Sequence, residues 1–531
     1  MGKMKAIVVG AFALMAISGL AALTADQDYL TAVRPVGVNG QEEWNRRSLL
    51  FLYAPTFVFT NRADAASYRF TVTDSKGTPH SFSAKSARDS LAPVWSSLPT
   101  GWTRVVCEAL DKDGRILGIV GVREFGRKAP FREGTYPKPA RSAAATSALI
   151  MKYVMRLPIV EANYLAEKPV PAEMVRPDNQ VFISYPSKMG AAMMSAMAKL
   201  AQTDPSVREA ALRLAEGVKR KLFSITEPEG VPLAGLPRTY EEHPALTGHP
   251  AKMVRVNGGK IMMIYPCEVA NAYLSLYEVT KDESLRVAAV RIADKYLALQ
   301  GRDGTWPLNC WLKDGRAVES NRLMPLHMMK LLERLYALTD ELKYRQAADA
   351  AFAYVERGPL TTWNWEGQFE DVPPAAKFEN LTKHDACDTA LYLLGRFSGD
   401  ERRLAQAREL LRFAEDQFVC WENPLFAGQK LVAAKFGVWE QEVWRCPGVL
   451  EQYNCYVPID ASAAKLIRTY LALYDAAHEP LDLAKARTLG DSIIRETDDN
   501  GHLPTFWLKF SEDWPNCMIA SAAALTELAG H

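Results

Sequence analysis

The sequence predicts a mainly α-helical protein, a toroid of paired helices preceded by a small β-sandwich. Three observations carry that expectation. From Ser142 to the C-terminus, helical periodicity returns in hairpin-sized units. Turns within these units are short, whereas connections between them are long. Ahead of the repeats, Leu49 to Arg127 alternates apolar and polar residues around Asp/Gly turns.

The chain has 531 residues, 48% of them hydrophobic, which is enough for a large core. Formal net charge is +1, and no long block of one sign occurs. Nucleic acid and an anionic membrane surface are therefore not expected as main partners. The start, "MGKMK" followed by "AIVVGAFALMAISGLAAL" and "TADQDYL", has the basic, apolar and small-residue regions of a secretory leader. Cleavage is expected after Ala22 or Ala25, giving a leader over 1–25 and an exported chain, periplasmic or extracellular. An uncleaved anchor is the alternative; after leader removal no stable membrane insertion is expected. None of the eight cysteines forms a C-x-x-C pair, so no metal site of zinc-type spacing is expected. No nucleotide, serine-hydrolase or zincin motif occurs, and no cofactor is expected.

The first structural unit is expected over 49–128. "YRFTVTDSKGTPHSFSA" and "TRVVCEALDKDGRILGIVGVREF" read as hairpins turning at "DSKG" and "DKDG", and several short strands suggest an immunoglobulin- or fibronectin-like sandwich. The second is expected over 140–531. Its units begin at Gly190, Ala272, Leu326, Thr389 and Ala463, each an apolar helix, a short turn such as "TKDES" or "TDELK", and an amphipathic helix. The unpaired first helix, "SAAATSALIMKYVMRL", and the unpaired last, "CMIASAAALTELAG", can close a ring of about six hairpins. Short turns then share one rim and long connectors the other, where function is usually carried.

The long connectors collect aromatics and acids: "DGTWPLNCW", "TTWNWEGQFED", "FVCWENP" and "GHLPTFW". Repeated hairpins with Trp-rich, acidic loops resemble the (α/α)6-barrel carbohydrate-active enzymes, the six-hairpin glycosidases and toroidal polysaccharide lyases. The resemblance covers roughly Ser142 to the C-terminus and implies an oligo- or polysaccharide substrate, often one carrying a uronic acid. Trp306, Trp363, Trp365, Trp421 and Trp507 are candidates for stacking on sugars, or else caps on the core.

Glycoside hydrolysis needs two carboxylates, one protonated. Glu366, Glu370 and Asp371 are the first candidates, with burial beside Trp363 and Trp365 raising one of them. Glu268 and Glu451 are reserves, because they fall among apolar residues where an unpaired charge is costly. Tyr265, Tyr453, Tyr456 and Asp460 lie near the starts of apolar helices and are expected to point at the ring axis; Asp460 is equally a good N-cap. Arg322 is a natural clamp for a uronate carboxylate, or else an ion pair to a neighbouring loop. His384 can bind a carboxylate or act as a base. The insert Ser224–Lys260 is long enough to form a lid. Hydrolysis is the favoured reaction. The alternatives are β-elimination, with His384 or a tyrosine as base and Arg322 and Asn321 neutralising the uronate, and glycan binding without chemistry.

Overall fold

The structure, a computed structural model, describes residues 28–34, 44, 47–166, 168–374, 376–424, 430–433, 437–440, 445–507 and 513–531. The expected leader over 1–25 lies outside the described residues.

Asp74 and Asp111 shape the first hairpins. The Asp74 carboxylate accepts from the amides of Lys76 and Thr78, and Gly77 supplies the positive φ that closes the turn. Asp111 does the same for Asp113 and Arg115, with Gly114 in the glycine position. These turns join β3 (Ser67–Thr73) to β4 (Pro79–Ala84) and β6 (Gly101–Leu110) to β7 (Ile116–Arg127). With β1 (Leu50–Phe51), they form a five-stranded sheet of order β1-β7-β6-β3-β4, parallel only at β1–β7. β2 (Thr56–Val58) and β5 (Arg88–Ser90) pair as a separate two-stranded ribbon. Where the sequence predicts a sandwich, the described strands give one sheet and this ribbon.

Twelve helices build the ring: α1 (Ala143–Met155), α2 (Pro186–Thr203), α3 (Arg208–Ser224), α4 (Ile264–Thr280), α5 (Glu283–Leu299), α6 (Leu326–Thr339), α7 (Leu342–Arg357), α8 (His384–Arg396), α9 (Glu401–Phe418), α10 (Asp460–Ala477), α11 (Pro480–Glu496) and α12 (Pro515–Leu528); the helix Gly248–Asn257, in the insert between α3 and α4, and the shorter helices carry no label. The inner helices α2, α4, α6, α8, α10 and α12 pack each on the next, and α12 packs back on α2. Each inner helix is backed by one outer helix; α1 backs α12, so the first and last helices close the ring as expected. Burial explains the division. α4 buries residues around most of its circumference, whereas α5 buries one stripe, Leu285, Ala289, Ile292, Ala293 and Tyr296.

One turn chemistry recurs at the short rim. α4, α6 and α10 end on a residue in the left-handed region, Lys281, Asp340 and His478, and Gly399 takes that conformation after α8. The next residue is always acidic: Asp282, Glu341, Glu479 or Asp400. Asp282 and Asp400 cap the outer helix that follows, accepting from Ser284 and from Arg402 and Arg403 amides. Because the two helices of each hairpin run antiparallel, all six inner helices start at the opposite rim, to which the long connectors lead.

Candidate active site

The six inner-helix N-termini converge there, and each brings its partial positive charge. Their first turns supply Lys188 from α2, Tyr265 and Glu268 from α4, His327 from α6, His384 and Asp385 from α8, and Cys517 from α12. The connectors add Tyr240, Glu370, Asp371, Lys383, Glu451 and Trp514.

Glu370 is the anchor. Its carboxylate is buried, ion-paired to the Lys188 ammonium and hydrogen-bonded by the Tyr265 hydroxyl. The Tyr240 hydroxyl donates to its backbone carbonyl at 3.0 Å. Lys188 also lies 4.4 Å from the centre of the Trp514 ring, which stacks on Tyr185. Burial works against charge on Lys188, yet Glu370 outweighs it and raises the ammonium pKa.

Asp371, partly exposed beside this pair, is pushed up to about 7. Burial is the main cause; the negative charge of Glu370 adds to it, Lys188 opposes it, and Glu451 adds again. Glu451 is itself raised by burial, with Lys383 pulling it back. Lys383 is fully buried, donates to the Glu451 carbonyl at 2.8 Å and sits 3.1 Å from Nε2 of His384. Burial lowers Lys383 to about 7. Burial first, and then Lys383, Lys465 and Lys188, hold His384 far below its usual value, so its imidazole is neutral. Phe369 meets the His384 ring edge-on at 5.7 Å. Glu268, raised by burial, lies 3.5 Å from Nε2 of His327. Deeper in the ring, Asp388 pairs with Lys465, and Asp385 is pushed up to about 8 by burial and by Asp388. The site thus holds a carboxyl that titrates near neutrality, a neutral imidazole and two lysines within one rim.

Of the residues expected from sequence, Glu370, Asp371, Glu268, Glu451, Tyr265 and His384 meet here. Glu366 lies nearby, half-buried, accepting from Asn321 at 3.3 Å. The others are corrections. Trp306, Trp365, Trp421 and Trp507 are fully buried and Trp363 nearly so; none offers a ring face to a sugar. The Trp306 indole donates to the Tyr296 carbonyl, and the Trp421 indole to Glu415. Their physical role is to plug the long-connector end of the core. Tyr453 is buried and donates to Gln417 at 2.7 Å. Tyr456 is buried beside it, 5.8 Å between ring centres. Asp460 is buried and takes a hydrogen bond from Ser521 at 3.1 Å. Arg322 forms a two-point ion pair with Asp303 and donates to the Thr305 carbonyl, which consumes the proposed clamp.

Sequence reasoning missed Lys188, Lys383, Tyr240 and Trp514. The lysines did carry a signal: each is a cation at or beside the N-terminus of an apolar helix, where the dipole disfavours positive charge. All eight cysteines are free thiols.

The chain matches no family model and no curated protein. Among solved structures it is similar to a D-mannose isomerase, with 12% identity over 73% of this chain and 96% of that one and a TM-score of 0.50. A family 76 glycoside hydrolase from a bovine Bacteroides thetaiotaomicron strain shares 12% identity over 89% and 94%, at 0.48. Cellobiose 2-epimerase from Spirochaeta thermophila shares 15% over 65% and 85%, at 0.46. These are carbohydrate-active enzymes of (α/α)6-barrel fold, and the fold is what this chain shares with them.

Proposed function

We propose that the protein is an exported glycoside hydrolase acting on a uronate-bearing glycan, with the strand unit of 49–128 ahead of a catalytic toroid of 140–531. The observation that carries the reading is Asp371, a carboxyl raised to about 7, so that a substantial fraction keeps its proton near neutral pH, at a rim crowded with other carboxylates. Such a group donates a proton to a departing glycosidic oxygen. Glu451, within electrostatic reach of Asp371, is the second carboxylate that hydrolysis requires. Glu370 is a positioning residue, fixed by Lys188 and Tyr265. A uronate is supported by the convergence of six helix N-termini, a field suited to an anionic sugar. Kinship of fold with sugar enzymes agrees with this by analogy alone.

His384 favours a second reading. A neutral imidazole is equipped to remove the proton next to a uronate carboxylate, which is β-elimination; Lys383, 3.1 Å from the imidazole and lowered to about 7, carries the positive charge that would neutralise that carboxylate only at about pH 7 and below. Incubation with a panel of uronate glycans separates the two. Hydrolysis releases reducing ends without near-ultraviolet absorbance; elimination produces both, because its product carries a conjugated double bond. Neither signal on any uronate glycan would refute the proposal.

A further inference from the structure

Trp311 is partly exposed, whereas Trp306, Trp363, Trp365, Trp421, Trp507 and Trp514 are buried. It ends β9 (Asn309–Trp311), which pairs with β8 (Lys260–Met262), and it lines a surface cleft of about 490 Å³ with Leu312, Pro232, Glu227, Arg238 and Lys313. That volume is ordinary for a small-ligand site. The lining joins an aromatic ring and apolar groups to charges: the Lys260 and Lys313 ammonium groups each lie 5.3 Å from the Trp311 ring centre. Glu227 is buried and holds the Arg238 guanidinium, whose side chain remains 50% exposed. Two cations, Arg238 and Lys313, line the cleft against one carboxylate, with Lys260 close to the ring, which favours an anionic ligand; a half-exposed guanidinium in the same cleft as an aromatic ring suits a sugar carboxylate.

The cleft is tied to the reaction centre through one short segment. The Arg238 carbonyl accepts from the hydroxyl of Ser187, the neighbour of Lys188. Two residues on, Tyr240 donates to the Glu370 carbonyl. Two residues of chain span at most about 7 Å.

We propose that the Trp311 cleft is an outer sugar subsite that holds a further uronate unit of the chain being cut at Asp371, so that the substrate is an oligomer. This rests on the reading of the site as glycan-processing. The test is calorimetric titration of the full chain carrying Asp371→Asn with oligogalacturonides, heparosan oligosaccharides and alginate oligosaccharides of one to six units. Affinity rises with length for at least one series. Adding Trp311→Ala lowers affinity for the longer members about tenfold or more and leaves the single unit unchanged. Lys313→Glu, on the surface, gives the same length-selective loss while keeping the Trp311 ring. Equal loss at every length, no loss, or no length dependence in any series would overturn the subsite. In the otherwise native chain, Trp311→Ala retains wild-type turnover of a single-unit aryl uronide. A wild-type protein that turns over no uronide refutes the reaction, while the titrations still decide the cleft.

Discussion

At the scale of the residue, the site is governed by which charges are compensated. Glu370 can be buried only because Lys188 and Tyr265 meet it. Lys188→Met leaves a buried carboxylate without its cation and is expected to cost about 3–5 kcal/mol in urea denaturation. Lys188→Met with Glu370→Leu removes both partners and recovers most of that; equal instability of single and double variants would show that the pair is not the determinant. Asp371 sets the pH dependence. Its folded pKa is about 7 against a usual 3.8, so the folded protein keeps a proton that the unfolded chain releases. Stability from this group therefore declines as pH rises from about 4 to 7, and the rate, needing the protonated acid, falls as pH rises through about 7. His384 acts in the opposite direction: lowered far below 6.5, it contributes stability that is lost as pH falls below 6.5. A kcat/KM profile in which Asp371→Asn retains the descending limb near 7 contradicts the assignment. The acids were legible in the sequence because "WEGQFED" concentrates three of them; Arg322 and the tryptophans misled because composition cannot tell a loop's solvent face from its core face.

At the scale of the element, the repeat was legible wherever local chemistry dictates it. The turn of a left-handed residue followed by an acidic cap needs no tertiary partner, so "TKDES" and "SGDER" announce hairpins directly. Less visible were close approaches of backbone. Gly304, after α5, has φ +94, and a Cβ there would lie 2.1 Å from the Ala350 carbonyl of α7. Gly501, after α11, repeats the device against the Leu149 carbonyl of α1. Both set the entry of a long connector onto its neighbour hairpin. Gly304→Ala is expected to destabilise by about 1–3 kcal/mol, measured by thermal or urea unfolding, since both φ and space forbid the methyl. A neutral effect would mean that α5 and α7 can part without cost.

At the scale of the whole molecule, the sheet and the toroid are joined by buried charges. Asp416 of α9 accepts from the amides of Leu52 and Tyr53, and Lys128 at the end of β7 donates to the carbonyls of Glu415 and Val419. Glu415 gathers Lys485, Tyr53 and Trp421 around one carboxylate. Glu415→Ala strands the buried Lys485 ammonium and is expected to cost about 3–5 kcal/mol while circular dichroism still shows a single transition. A separate early transition of the strand unit would show the two to be independent. The contacts between the sheet and the toroid could not be foreseen, because they link residues hundreds of positions apart and no local pattern records them. The closed ring could be foreseen, because each hairpin carries the same short-turn, long-connector asymmetry that puts one rim in charge of chemistry.

The most direct test of Asp371 as proton donor compares two leaving groups. On a uronide whose departing sugar needs protonation, Asp371→Asn is expected to lose about 10²–10⁴-fold in kcat/KM. On a uronide with an acidic phenol as leaving group, which departs unprotonated, the same variant retains most of the wild-type rate. An equal loss on both substrates, or none on either, contradicts the account.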